Sequence, residues 1–248
     1  MIPTELIDRM ARAQRVAVLT GSGISAASGI PTFRGADGLW KQHRAEDLAT
    51  PQAFRRDPEL VWEWYRYRRT LIRRAAPNAG HLALVELEQL VPELTILTQN
   101  VDGLHQRAGS TRVVELHGNI FINRCVGCGK EIDVFDNEDD DEGLPRCSCG
   151  ELFRPGVVWF EEPLPQEALA LANEAATQCD VFLSVGTSGV VYPAAGYPLL
   201  AKSKNAFVVE INPERTVLSK DMHLIIQASA AEALPELVNR LKVVKHAK

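Results

Sequence analysis

The stretch VLTGSGISAASGIPTFRG, Val18 to Gly35, decides how the chain is to be read. It continues an apolar run, RVAVLT (Arg15 to Thr20), and turns abruptly into glycine. In that setting Gly21-x-Gly23-x-x-Ala26 is a strand-to-turn pattern whose glycines permit a tight bend and let phosphate oxygens approach helix N-terminal N–H groups. A tight turn with no ligand uses the same residues, so the pattern alone is weak. Two features separate it from an ordinary dehydrogenase fingerprint. No acidic ribose hook follows on a next strand at the usual interval. Gly29 and Pro31 would interrupt a helix and leave Phe33 and Arg34 on a loop.

Working outward, LTILT (Leu94 to Thr98), DVFLSVG (Asp180 to Gly186) and AFVVEIN (Ala206 to Asn212) share the look of the first run. All are apolar on both faces, which suits parallel strands covered by helices. Helical patterns lie between and around them. MIPTELIDRMARAQ is an amphipathic start, and Asp57-Pro58 supplies an N-cap and an N1 proline for a helix running to about Arg74. HLALVELEQL (His81 to Leu90) and QEALALANEAA (Gln166 to Ala176) have helical periodicity, and Ser229-x-x-Glu232 is a capping-box signal for a last helix. This alternation predicts an α/β fold, a Rossmann-like doubly wound parallel sheet whose strand order is left open.

The rhythm breaks between about Arg124 and Arg154, where cysteines and the acidic run EDDDE (Glu138 to Glu142) take over. That segment reads as a small inserted module, and its acidic run as a solvated loop. Cys125-x-x-Cys128 and Cys147-x-Cys149 form two close thiolate pairs that can enclose a tetrahedral Zn²⁺, leaving no open position for catalysis. A redox dithiol and a nucleic-acid ribbon compete with structural zinc, the latter disfavoured by the acidic loop. Cys179 opens an apolar strand and reads as core.

With 248 residues, 46% of them hydrophobic, the chain can bury a substantial core. A formal net charge of -5 gives no general attraction for nucleic acid or an anionic membrane, so neither is expected as a partner. No signal-peptide layout and no long apolar run stand out, which predicts a soluble, cytoplasmic protein.

TQNVDGLHQRAG (Thr98 to Gly109) and ELHGN (Glu115 to Asn119) carry a third signal. Gln99, Asn100 and Asp102 fall just past a strand's C-terminal end, where open α/β sheets place ligands. His117 follows another short strand, VVEL, and is a candidate acid or base; a structural histidine is the plainer reading. His105 shares the segment, with packing at least as good an account.

Together these stretches resemble the sirtuin family of NAD-dependent protein lysine deacylases. GSGISAASGIPTFRG is similar to the family's cofactor loop, TQNVDGLH to its nicotinamide-pocket segment, and LHG to the motif of its catalytic histidine. GTSGVVYPAA (Gly186 to Ala195) and EIN (Glu210 to Asn212) resemble its later strand ends. The resemblance implies one catalytic domain over 1–248. Its large Rossmann-like part would take in about 1–36, 80–120 and 155–248, its helical part about 37–79 and its zinc module about 121–154. A monomer is favoured.

By that resemblance Gly21, Ser22 and Gly23 would cradle the pyrophosphate, with Ser22 where the family usually has alanine. Phe33 and Arg34 would lie on the cofactor loop, Phe33 shielding the reactive sugar carbon. Gln99 would meet the nicotinamide ribose, Asn100 and Asp102 would hold the carboxamide or the geometry around it, and Gly186, Thr187, Ser188 and Asn212 would serve the adenosine half. NAD would be a consumed co-substrate. The acyl oxygen of a modified lysine attacks the nicotinamide ribose, His117 takes a proton from the ribose hydroxyls, and free lysine, nicotinamide and O-acyl-ADP-ribose are released. One structural Zn²⁺ per chain is implied. Substrates would be acylated lysine proteins or peptides, received along VVWFEE (Val157 to Glu162), with Val158 beside the lysine stem. Related members often have glycine where this chain has Glu161.

EWYRYRR (Glu63 to Arg69) sets two tyrosines among three arginines. Tyr65 and Arg68 share a helix face at i, i+3, while Arg66 and Arg69 read as a solvated basic face. Within the resemblance, Tyr65-x-x-Arg68 matches the pair that marks members acting on succinyl- and malonyl-lysine, and Ala49 the small residue that gives room. The expected activity is desuccinylation and demalonylation with residual deacetylation. A predominantly acetyl-directed enzyme, or an NAD-binding regulatory protein, are the alternatives.

Overall fold

The computed structural model describes residues 2–32, 45–136 and 143–246. Phe33, Arg34 and the acidic run at 138–142 lie outside the described residues. Among those described, nine strands, β1–β9 in chain order, form two sheets. The larger joins β1 (Arg15–Thr20), β2 (Glu93–Thr98), β3 (Val113–Glu115), β7 (Val181–Val185), β8 (Phe207–Ile211) and β9 (Leu224–Ile226). Its order is β3-β2-β1-β7-β8-β9, with every pairing parallel. The chain steps outward from β1 to β3, then returns to β7 on the far side of β1. That reversal opens a crevice beyond the C-terminal ends of β1 and β7, the place where open α/β sheets bind ligands.

Successive β1 side chains point to opposite layers. Val16 and Val18 join the core under α1 (Thr4–Arg12), α5 (Ala79–Leu90) and α9 (Ala230–His246); Ala17 and Leu19 join that under α7 (Gln166–Gln178) and α8 (Tyr197–Ser203). Burial on both faces explains why these strands read as continuous apolar runs. Cys179 is in the second core, its thiol pushed up to about 12 by burial.

The smaller, antiparallel sheet has the order β5-β4-β6, from β4 (Gly118–Cys125), β5 (Glu131–Asp133) and β6 (Phe153–Val157). Against it packs α4 (Pro58–Arg74), started by Asp57, whose carboxylate accepts the Leu60 N–H at 3.0 Å. Trp62 donates its indole N–H to the Phe153 carbonyl at 3.1 Å. The expected basic face of α4 is corrected here, because Arg69 is wholly buried. Its guanidinium donates to the Ile120 carbonyl (2.7 Å) and Asn123 Oδ1 (2.6 Å) and lies over the Trp62 ring. Arg69 therefore ties the helix to β4, satisfying backbone and amide acceptors that would be costly to bury unpaired. Trp64 turns inward and Tyr67 stays exposed.

Candidate active site

The segment after β1 does not open a long helix. Gly21 leads into two short 3-10 turns, Ser22–Ile24 and Ala26–Ser28, closed by Gly29 at φ 81°. The glycines serve a close backbone approach. Gly21 N–H donates to the Val185 carbonyl (3.1 Å) and Gly23 N–H to that of Gly186 (2.9 Å). A Cβ on Gly23 would lie 2.7 Å from Gly186 Cα, and Gly186 itself has φ 60°. The loops after β1 and β7 are thus pressed together, with Ser22 on the cavity side of the join.

Beyond β2, Asn100 is buried, donating to the Gly21 carbonyl and Ser25 Oγ, each at 3.2 Å. Ser25 Oγ in turn donates to Asp102 at 2.7 Å, and Asp102 accepts the Leu104 N–H that starts α6 (Leu104–Ala108). Asp102 therefore stands behind the wall and holds the residues that form it. Gln99 donates its side-chain amide to Thr187 Oγ1 at 2.9 Å, joining the ends of β2 and β7.

His117 Nδ1 is 3.0 Å from the Gln99 carbonyl oxygen. A carbonyl can only accept, so Nδ1 carries the proton and Nε2 keeps a lone pair. Burial lowers the His117 pKa, with the Gln99 carbonyl opposing it, and the neutral imidazole is the resting form at neutral pH. His105 differs. It is 1% exposed, lies 2.9 Å from Thr20 Oγ1 and packs its ring 5.0 Å from that of His81. Burial, then His81, lowers it to about 3, so it is a core histidine.

A cavity of about 740 Å³ lies between the two sheets, within the range of small-molecule sites. Its walls bring together Gly21, Ser22, Gly23, Gln99, Asn100, His117, Gly186, Thr187, Ser188 and Asn212. Ala49, Tyr65, Arg68 and Val158 line it too. Arg68, 8% exposed, has its guanidinium carbon 5.8 Å from the Tyr65 ring centre. Burial draws its pKa down, with Tyr65 and Asp102 opposing. Tyr65 accepts the Trp159 indole N–H at 3.0 Å. The Val158 N–H donates to the His117 backbone carbonyl (2.8 Å) and the Phe160 N–H to the Ala49 carbonyl (2.9 Å), fixing this stretch of the cavity wall. Glu161 sits at φ 71° and accepts from Gln52 Nε2 at 2.7 Å. Sequence patterning missed Trp159, whose part depends on a long-range contact.

The four module cysteines converge, their Sγ atoms all within 4.8 Å of one another. The Cys125–Cys149 and Cys128–Cys147 pairs are 3.4 and 3.7 Å apart. Four thiolates at about 2.3 Å from one Zn²⁺ stand roughly 3.8 Å apart, so the set fits a structural zinc. The Cys149 N–H also points at the Cys147 sulfur and favours its thiolate form.

This α/β chain, with its two sheets, cavity and four-cysteine module, matches the Sir2 family over residues 21–193, and it belongs to that family. It is 53% identical over 240 residues to an NAD-dependent protein deacylase of Thermococcus kodakarensis, covering 94% of this chain and 93% of the relative. A mutant Sir2 homologue in complex with ADP-ribose aligns at TM-score 0.97 and 43% identity, covering 100% of this chain and 99% of that one. A Sir2–p53 peptide–NAD+ structure aligns at TM-score 0.85 and 32% identity over 100% of both chains. Among the described residues no helix is long and apolar enough to cross a membrane.

Proposed function

We propose that this NAD-dependent protein deacylase prefers lysine acyl groups that end in a carboxylate, succinyl and malonyl above acetyl. The observation that carries the reading is Arg68, a buried guanidinium on the cavity wall one helical turn from the Tyr65 hydroxyl. A guanidinium stays charged at any working pH and presents a fork that matches a carboxylate. An acetyl group offers it no anion. One charge-assisted hydrogen bond contributes about 1.5–3 kcal/mol, or roughly tenfold to hundredfold in selectivity. Ala49 leaves room beside the pair, and Val158 lines the path of the lysine stem.

At the other end, neutral polar groups and bare glycine backbone suit a dinucleotide. Ser22 faces the pyrophosphate, flanked by Gly21 and Gly23. Gln99 and Asn100 hold the nicotinamide side, Asp102 positions Asn100 through Ser25, and Gly186, Thr187, Ser188 and Asn212 take the adenosine side. NAD, when bound, supplies the electrophilic ribose carbon that accepts the acyl oxygen. His117 accepts a proton at Nε2, its Nδ1–H fixed on Gln99.

The test is one lysine peptide carrying acetyl, malonyl or succinyl, with and without NAD, assayed on the wild type and Arg68→Met. The expected result is an NAD-dependent succinyl and malonyl preference that Arg68→Met lowers by about 10- to 100-fold in kcat/KM. Equal losses on all three peptides would overturn the reading.

A further inference from the structure

Trp159 is buried at 3% exposure, lines the cavity beside Tyr65 and shares the apolar core of α4. Its indole nitrogen lies 3.0 Å from Tyr65 Oη, itself 2% exposed. An indole N–H only donates, whereas a phenol both donates and accepts. The Tyr65 oxygen is therefore the acceptor in this pair. A phenolic O–H prefers the plane of its ring, where two directions are open. With one held by the indole, the hydroxyl proton takes the other.

We infer that Trp159 is a positioning residue for acyl selection, holding the Tyr65 hydroxyl as a one-way donor toward the acyl terminus. The inference rests on the acidic-acyl reading above and names the group that makes Tyr65 effective in it. The indole is itself held firmly. Arg154 lies over its ring with the guanidinium carbon 3.4 Å from the centroid, and Phe54 packs 5.4 Å from it. Arg154 is clamped by two hydrogen bonds to Glu162, which also accepts the Trp159 backbone N–H at 2.8 Å. A cation over the ring draws electron density from it and makes its N–H a better donor.

Trp159→Phe keeps an aromatic ring against Arg154 and Phe54 while removing the N–H together with part of the indole's bulk. The expected result is a loss in kcat/KM that is about 3- to 10-fold greater for succinyl than for acetyl, the effect of one neutral hydrogen bond. A purely structural role would lower both substrates together. Tyr65→Phe and the Trp159→Phe/Tyr65→Phe double variant complete a cycle. If the indole acts through the phenol, the double variant loses no more than Tyr65→Phe alone. Multiplying losses would overturn the inference. Should Trp159→Phe fold poorly, benzothienylalanine at 159 preserves the indole outline with sulfur for the N–H, and its expected outcome is the same. Arg68→Met in the same assay separates the two levels. A selective Arg68→Met with an unselective Trp159→Phe removes the Trp159 role alone, and an unselective Arg68→Met removes the acidic-acyl reading and this inference with it.

Discussion

Gly23 and Gly186 touch through their backbones: the Gly23 N–H donates to the Gly186 carbonyl at 2.9 Å, with no room between them for a methyl group. The contact joins the loops that follow β1 and β7, the two strands between which the sheet order reverses. It follows that Gly23→Ala has to part these loops, since the obstructing atoms are backbone and cannot rotate away. A cost of about 1–3 kcal/mol is expected, a fall of roughly 2–4 °C in Tm per kcal/mol at this size. NAD affinity should fall with it. Thermal unfolding with and without NAD checks both. An unchanged Tm would show that the loops yield more easily than their packing implies.

His117 carries the pH dependence. Its working form is the neutral one, and burial lowers its pKa, so protonation and loss of activity occur only as the pH falls below the ordinary histidine value of about 6.5. The kcat/KM profile should be flat from neutral pH to about 6.5 and decline on the acid side. His117→Ala should lose about 100-fold or more in acyl removal while still binding NAD. Initial rates across pH, with NAD binding by calorimetry, make the comparison. Near-normal turnover by the alanine variant would remove His117 from the chemistry.

The sheet strands were legible because burial on both faces writes itself as apolar runs, as in RVAVLT and VFLSV. Asp57-Pro58 marked the start of α4 because capping is a local event. β9 was not read, for three residues leave no period to detect. Nor was Arg69, whose burial depends on acceptors about 50 residues along the chain at Ile120 and Asn123. The glycines were legible as a motif, but not their packing partner Gly186, which only the strand order brings to them. For the same reason Trp159 could not be paired with Tyr65 from spacing.

Zinc should support the cavity from a distance. Cys125 ends β4, which pairs with β6, and β6 runs on into the wall formed by Val157 to Trp159. Metal analysis should find one zinc per chain. Cys128→Ser should release it and lower stability by at least about 3 kcal/mol, close to 6–12 °C in Tm, with activity lost in parallel. A correctly folded, active chain without metal would oppose a structural role for the four thiolates.

Glu161 holds a left-handed backbone, φ 71°, that costs a side-chain-bearing residue about 1–2 kcal/mol. Glu161→Gly removes that cost, but it also loosens the unfolded chain by about 0.4–1 kcal/mol and gives up the exposed contact with Gln52. The opposing terms nearly cancel, so Tm should move by only a few degrees. Peptide choice should move more. Glu161 lines the cavity and brings a negative charge to its wall, where it attracts basic residues beside the acylated lysine and repels acidic ones. Paired peptides with lysine or glutamate flanks should differ in kcat/KM on the wild type, more strongly at low salt, and converge on Glu161→Gly. If the flank preference survives the substitution unchanged, the selecting charge lies elsewhere on the surface.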